Sequence, residues 1–293
     1  MAAVLAAGCT SSPEPKNHQG SATSAPAPIA VEPDDAVMRP ERFFDNLETI
    51  GRATKRLEDA CMTRKGFRPA DAAQLVDRIQ GEIAPDMAFR RSEGYGFSHY
   101  LRPIWQVSDD EAADWYRAFR GNRSDTVEWR TIGGTGATAG GGCVAEARKA
   151  VAGSVLDWFW AASAQQDYWL VVAAATANDP RWEPAAALWA QCMADSGYPG
   201  LGGPQGAWAR ARSALFADHE NGSAVPPEAR SFEIEVATAD GDCQTSTGMV
   251  DVQREIRSDF LADASPKYLR DLDRIAAAQT AALKTIRSEG LDR

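Results

Sequence analysis

Cysteine supplies the chemistry most plainly written in this chain, at positions 9, 61, 143, 192 and 243. A thiol can be acylated, oxidised to a disulfide or used as a nucleophile, and its surroundings decide which. Two of the five open a repeated pattern. Cys61-Met62-Thr63-Arg64-Lys65-Gly66-Phe67 returns as Cys192-Met193-Ala194-Asp195-Ser196-Gly197-Tyr198. If each glycine takes the left-handed position just past a helix, the aromatic residue after it folds back towards the methionine one turn earlier. This spacing predicts packing and cross-linking rather than catalysis. Once Cys9 is set apart, the remaining four cysteines allow three connectivities. The repeat favours Cys61 with Cys143 and Cys192 with Cys243, one bridge in each of two degenerate halves. A thiol-dependent redox protein would instead need Cys143 or Cys243 free, and no Cys-x-x-Cys pair is present.

Other reactive side chains are sparse. The histidines are His18, His99 and His219. Of these, His99 stands between Tyr95 and Tyr100 in the segment Gly94–Tyr100, which reads as an aromatic loop and a candidate ligand contact. There is no His-Glu-x-x-His zinc motif and no Gly-x-Ser-x-Gly elbow. The glycine-rich run Gly133–Gly142 ends in Gly142-Cys143 rather than Gly-Lys-Ser/Thr, so it predicts a flexible loop and not a phosphate cradle. No catalytic residue, metal centre or cofactor is assigned. A non-enzymatic binding or interaction domain is the expected function. The alternatives are a hydrolase-like enzyme with a site near Tyr95–Tyr100 and the thiol-dependent protein already described.

These residues must be positioned by a fold that the periodicity predicts to be mainly α. Phe43, Leu47, Ile50, Thr54, Leu57 and Cys61 recur at helical spacing, and a second helix is expected over Ala70–Gly81. Ser108-Asp109-Asp110-Glu111 reads as a capping box ahead of a helix carrying Trp115, Tyr116 and Phe119. Cys143 opens a helix through Val151, and Val155–Ala177 reads as one central core helix. Its uninterrupted apolar run falls short of the roughly 20 residues that a membrane span needs. Asp179 and Pro180 mark a restart towards Cys192. Pro199–Gly206 is expected to be a loop and Ala207–Phe216 a short helix. Pro227 opens a helix running through Cys243, and Ser265 and Pro266 start a long amphipathic one.

The N-terminal region differs in kind. Leu5-Ala6-Ala7-Gly8-Cys9 resembles the lipobox of a bacterial lipoprotein signal, with Ala6 where leucine is usual. The resemblance implies that Cys9 is acylated, and the missing basic region implies a signal that begins upstream of Met1. Residues 10–38 are rich in Pro, Ala and Ser and bury too little apolar surface to order, so they predict a disordered stalk. Residues 39–293 then form the helical extracytoplasmic domain, with possible halves 39–177 and 178–293. A formal net charge of -10 argues against nucleic acid as a partner. With the two Cys-Met motifs, Gly142-Cys143 and Ala239-Asp240-Gly241-Asp242-Cys243, the layout resembles a group of poorly characterised secreted lipoproteins of actinobacteria. That resemblance implies a helical, disulfide-bonded domain on the outer face of the cell membrane, held by an N-terminal lipid. Its further partner would be another envelope protein, a wall polymer or a small ligand.

Overall fold

The predicted apolar stripes become helices whose ends are set by capping residues. The computed structural model describes residues 40–69, 85–97, 109–216 and 226–291, with side chains from residue 46 in the first stretch and from residue 112 in the third. Cys9, the stalk, the helix expected over Ala70–Gly81, His18, His99, Tyr100, His219 and the side chains of the Ser108–Glu111 capping box lie outside the described residues.

Helix α1 spans Pro40–Arg64. Its stripe Leu47, Ile50, Thr54 and Cys61 is buried, and Thr54 is satisfied locally: its hydroxyl donates to Ile50 O at 2.7 Å and accepts from Trp158 Nε1 at 2.8 Å. The helix ends as the repeat predicts. Phe67 N donates to Met62 O at 2.9 Å and Gly66 N to Thr63 O at 3.0 Å, with Gly66 at φ 82°. The second copy is built alike: Tyr198 N donates to Met193 O at 2.8 Å and Gly197 N to Ala194 O at 3.0 Å, with Gly197 at φ 94°. Both are Schellman endings, and both methionines are buried beneath the turn.

Helices α2 (Met87–Glu93) and α3 (Asp109–Arg120) lead to a hairpin, β1 (Thr126–Thr131) and β2 (Gly134–Ala139). The hairpin corrects the expectation of a flexible glycine loop. Its register pairs Trp129 with Gly136, where a side chain on the glycine would meet the indole at 2.4 Å. Gly142 closes the run against the end of α3, where a Cβ would lie 2.5 Å from Phe119 O. The glycines therefore serve close approach, not mobility.

Helix α4 (Gly142–Ala152) starts as expected. The single helix expected over Val155–Ala177 is two, α5 (Val155–Ala162) and α6 (Gln165–Asn178), broken at Ser163–Ala164. Ser154 caps α5 by accepting from Asp157 N at 2.9 Å. Helix α7 (Trp182–Asp195) begins two residues beyond Pro180, and Asp179 accepts from Arg181 N just ahead of it. Helix α8 (Pro204–Phe216) takes in the end of the expected loop. Helix α9 (Pro227–Ser246) runs through Cys243, α10 (Met249–Ala262) follows unforeseen, and α11 (Pro266–Ser288) starts at the predicted Ser265 cap.

The fold is mainly helical and carries the two expected bridges, Cys61–Cys143 and Cys192–Cys243, with Cα separations of 5.6 and 5.7 Å. One packs the end of α1 on the start of α4, and the other ties α7 to α9. The described residues belong to a single unit. Within it, packing cuts across sequence order: α2 lies on α9, while α11 lies on α1, α4 and α5. Gly241 permits the first contact, since a Cβ there would sit 2.4 Å from Met87 Sδ.

Candidate functional site

Asp240 is the buried polar centre of the molecule. It is 1% exposed and accepts four hydrogen bonds: from Arg90 Nη1 at 2.7 Å, the Tyr95 hydroxyl at 2.9 Å, Trp189 Nε1 at 3.0 Å and Gln244 Nε2 at 2.9 Å. A buried carboxylate is tolerated when charge and hydrogen bonds satisfy both oxygens, and here three helices contribute donors. Two turns earlier on α9, the fully buried Glu233 accepts from Phe97 N at 2.7 Å. Burial holds its carboxyl above its ordinary value, against the pull of the backbone N–H groups of residues 95–97 and of Arg230. Gly94 has no room for a side chain, because a Cβ would lie 2.7 Å from Glu233 Cγ. The turn Gly94–Phe97 is thus fastened to α9 by two carboxylates.

Tyr95 consequently has a structural place. Its hydroxyl is committed to Asp240 and its ring is buried, while His99 and Tyr100, its expected companions, lie outside the described residues. Cys143 and Cys243 are both bonded, so neither supplies a free thiol in this structure.

The same polar centre forms one wall of a cleft of about 530 Å³ between α6, α7, α8, α9 and α10. Arg90 and Gln244 reach it from the Asp240 network. Arg257 and Gln253 reach it from α10, and Trp169 and Trp182 from α6 and α7. Val172, Ala173 and Ala177 add apolar floor, and Gly202–Gly206 closes the side at the start of α8. Arg90 is 2% exposed and Arg257 6%, the latter with its guanidinium 4.7 Å from the Trp169 ring centre. That geometry sets the Arg257 charge over an aromatic face. Among the described lining residues there are two arginines and no carboxylate, in a chain with 41 acidic and 31 basic residues.

A volume in the range of 300–1,000 Å³ with apolar walls and a few converging polar groups suits a small ligand. Guanidinium forks and amide N–H groups are donors that favour carboxylate or phosphate oxygens. The Thr176 hydroxyl, which also lines the cleft, donates to Val172 O at 3.0 Å. The described lining has no histidine, cysteine or carboxylate. Among the described residues no cluster of side chains could hold a metal ion, and no helix is long and apolar enough to cross a membrane.

The sequence reading missed Arg90, Gln244 and Arg257. Arg90 stands beside Arg91, which pairs with Asp242 at the surface, and the sequence does not distinguish the buried member of that pair. Arg257 follows Ile256 on a helix whose apolar stripe is thinned by charged residues. No family model, no curated protein and no solved structure matches this chain.

Proposed function

We propose that this chain is an extracytoplasmic binding domain, tethered by an acylated Cys9, whose cleft takes a small organic anion with an apolar or aromatic body. The observation that carries the reading is the pair of buried arginines, Arg90 and Arg257, lining a cleft without a described carboxylate in an acidic chain. The Trp169 and Trp182 rings supply flat apolar contact for the ligand's body, and the Arg257 guanidinium supplies the charge that selects its head, while Arg90 is held in the wall by Asp240. Support for the tether comes from Leu5-Ala6-Ala7-Gly8-Cys9 and from the Pro/Ala/Ser composition of residues 10–38.

Anilinonaphthalene sulfonate, an aromatic anion, is a direct probe of this cleft. Its fluorescence should saturate at one site and quench the cleft tryptophans, whereas naphthylamine, which lacks the anionic head, should bind far more weakly. Arg257→Gln should raise the Kd about tenfold or more, the scale of one charge-assisted hydrogen bond. Leu188→Ala, at a residue exposed elsewhere on α7, should leave it unchanged. Unaltered affinity in a folded Arg257→Gln variant would remove the basis of the proposal. Trp182→Ala provides a second folded variant that should bind less tightly.

A further inference from the structure

The hairpin presents an unused edge. Gly140 N donates to Asp125 O at 2.7 Å, which fixes the alternation of the ladder: Val127–Thr138 and Trp129–Gly136 bond across the hairpin. The pairs between them, Thr126–Ala139 and Glu128–Ala137, direct their N–H and C=O groups outward. Ala137 and Ala139 therefore carry the free edge of β2, and no described residue hydrogen-bonds to their backbone. Edge strands are ordinarily blunted by charge, proline, bulging or cover. Gly134-Thr135-Gly136-Ala137-Thr138-Ala139 has no charge and no proline, and its register runs without a bulge. The strand is held in place from behind, where Arg148 Nη1 donates to Thr138 Oγ1 at 2.6 Å.

Ala137–Ala139 also line a groove of about 780 Å³, together with Thr126 at the start of β1 and, opposite, the last turns of α3 and the loop after it. Three arginines line the groove: Arg117, Arg120 and Arg123. Arg117 shares an exposed contact with Asp114 at 3.1 Å, and Arg120 and Arg123 make no ion pair among the described residues. Asp125 is the one carboxylate of the described lining. It is occupied by its own turn, accepting from Asn122 N at 2.9 Å and Asn122 Nδ2 at 3.1 Å. The local balance is thus opposite to that of the whole chain. Arg120 and Arg123, without an ion pair among the described residues, line the groove beside backbone groups that no described residue bonds.

We infer that this groove docks an extended acidic segment of a partner protein, which adds to β2 as a third strand. Main-chain hydrogen bonds to Ala137 and Ala139 would supply the pairing, and acidic side chains on the α3 side would meet the arginines. The small side chains of β2 let a second backbone approach closely. The site is separate from the cleft of the proposed function and does not depend on it.

A fluorescein-labelled peptide of alternating glutamate and valine tests the inference by anisotropy against the full disulfide-bonded chain. The matched lysine–valine peptide should not bind. The combined substitution Arg120→Glu and Arg123→Glu should raise the Kd by about tenfold or more. Ala137→Pro should do likewise, because it removes an outward N–H that β1 does not use, so the hairpin persists. N-methylation of alternate peptide amides should abolish binding without altering charge. Equal binding of the methylated peptide, or indifference to Ala137→Pro, would show adhesion by charge alone and overturn strand addition. So would absence of peptide binding, a concentration-dependent dimer that blocks the peptide and is lost in Ala137→Pro, or binding that appears only when residues 10–38 are deleted. The last two outcomes would assign the edge to a second copy or to the chain's own acidic stalk.

Discussion

Glu58 shows how burial sets the behaviour of a single residue. It lies 5% exposed on α1, and burial pushes its carboxyl up to about 7, against the attraction of Arg148 and then Lys55. Arg148 is pushed down to about 10 for the same reason, with Glu58 opposing the shift. The two groups attract each other, yet desolvation outweighs the attraction for each. Arg148 instead lays its guanidinium 4.0 Å from the Trp158 ring centre and bonds to Thr138. The folded state therefore binds the Glu58 proton more tightly than the unfolded chain, whose carboxyl has its ordinary value of 4.5. That contribution to stability is complete below about pH 4.5 and is lost as the pH rises through about 7. Its size is at most about 3 kcal/mol, from the shift in pKa. Glu58→Gln keeps a neutral side chain at every pH. It should match the parent's melting temperature near pH 4 and exceed it by several degrees at pH 8. A gap between the two proteins that stays constant over that range would contradict this account.

The helices are joined at their ends by the disulfides. Cys61–Cys143 is fully buried with Met62 and Trp115, whereas Cys192 is half-buried beside the fully buried Cys243. Access by a thiol reductant follows exposure. Under mild native conditions Cys192–Cys243 should open first, which mass mapping after alkylation would detect. Opening of Cys61–Cys143 first would contradict the burial argument. Each bridge closes a loop, of sequence separation 82 and 51, and chain-entropy arguments give each about 4 kcal/mol. Cys61→Ala should thus lower the melting temperature nearly as much as the double variant lacking Cys61 and Cys143. The helix ends were legible because capping demands particular residues: glycine then an aromatic at 66–67 and 197–198, and Ser265-Pro266 ahead of α11. The break at Ser163–Ala164 was not, since no glycine or proline marks it and alanines flank the serine on both sides. The hairpin was hidden because glycines that admit Trp129 and Phe119 resemble, in sequence, glycines that merely loosen a loop. The cleft was illegible for a different reason. Its lining is drawn from six helices and one loop, and no local pattern records which faces converge.

At the scale of the molecule, the net charge of -10 sets the background against which the two basic features stand out. A domain of this charge is repelled by an anionic membrane surface, a repulsion that the proposed acyl group on Cys9 would have to offset. With a complete export signal fused ahead of residue 1, a fatty-acid label should enter the chain, and Cys9→Ala should abolish it. Label retained in that variant would exclude acylation at Cys9. The crossing of α2 onto α9 and of α11 onto α1 also dictates an order of events in time. Asp240 gathers its donors from Arg90, Tyr95 and Trp189, long made before α9 exists. Ile50, Ala53 and Trp158 are covered by Ala282 and Ile286, which are synthesised long after them. The Cys61–Cys143 bridge can close when half the chain has emerged, but the apolar face behind it stays open until α11 arrives. Such long-range closure is slow, and the uncovered intermediate is sticky. A nascent chain thus keeps that apolar face exposed until α11 is made, and the loss of that one helix would leave it permanently open to aggregation and to chaperones.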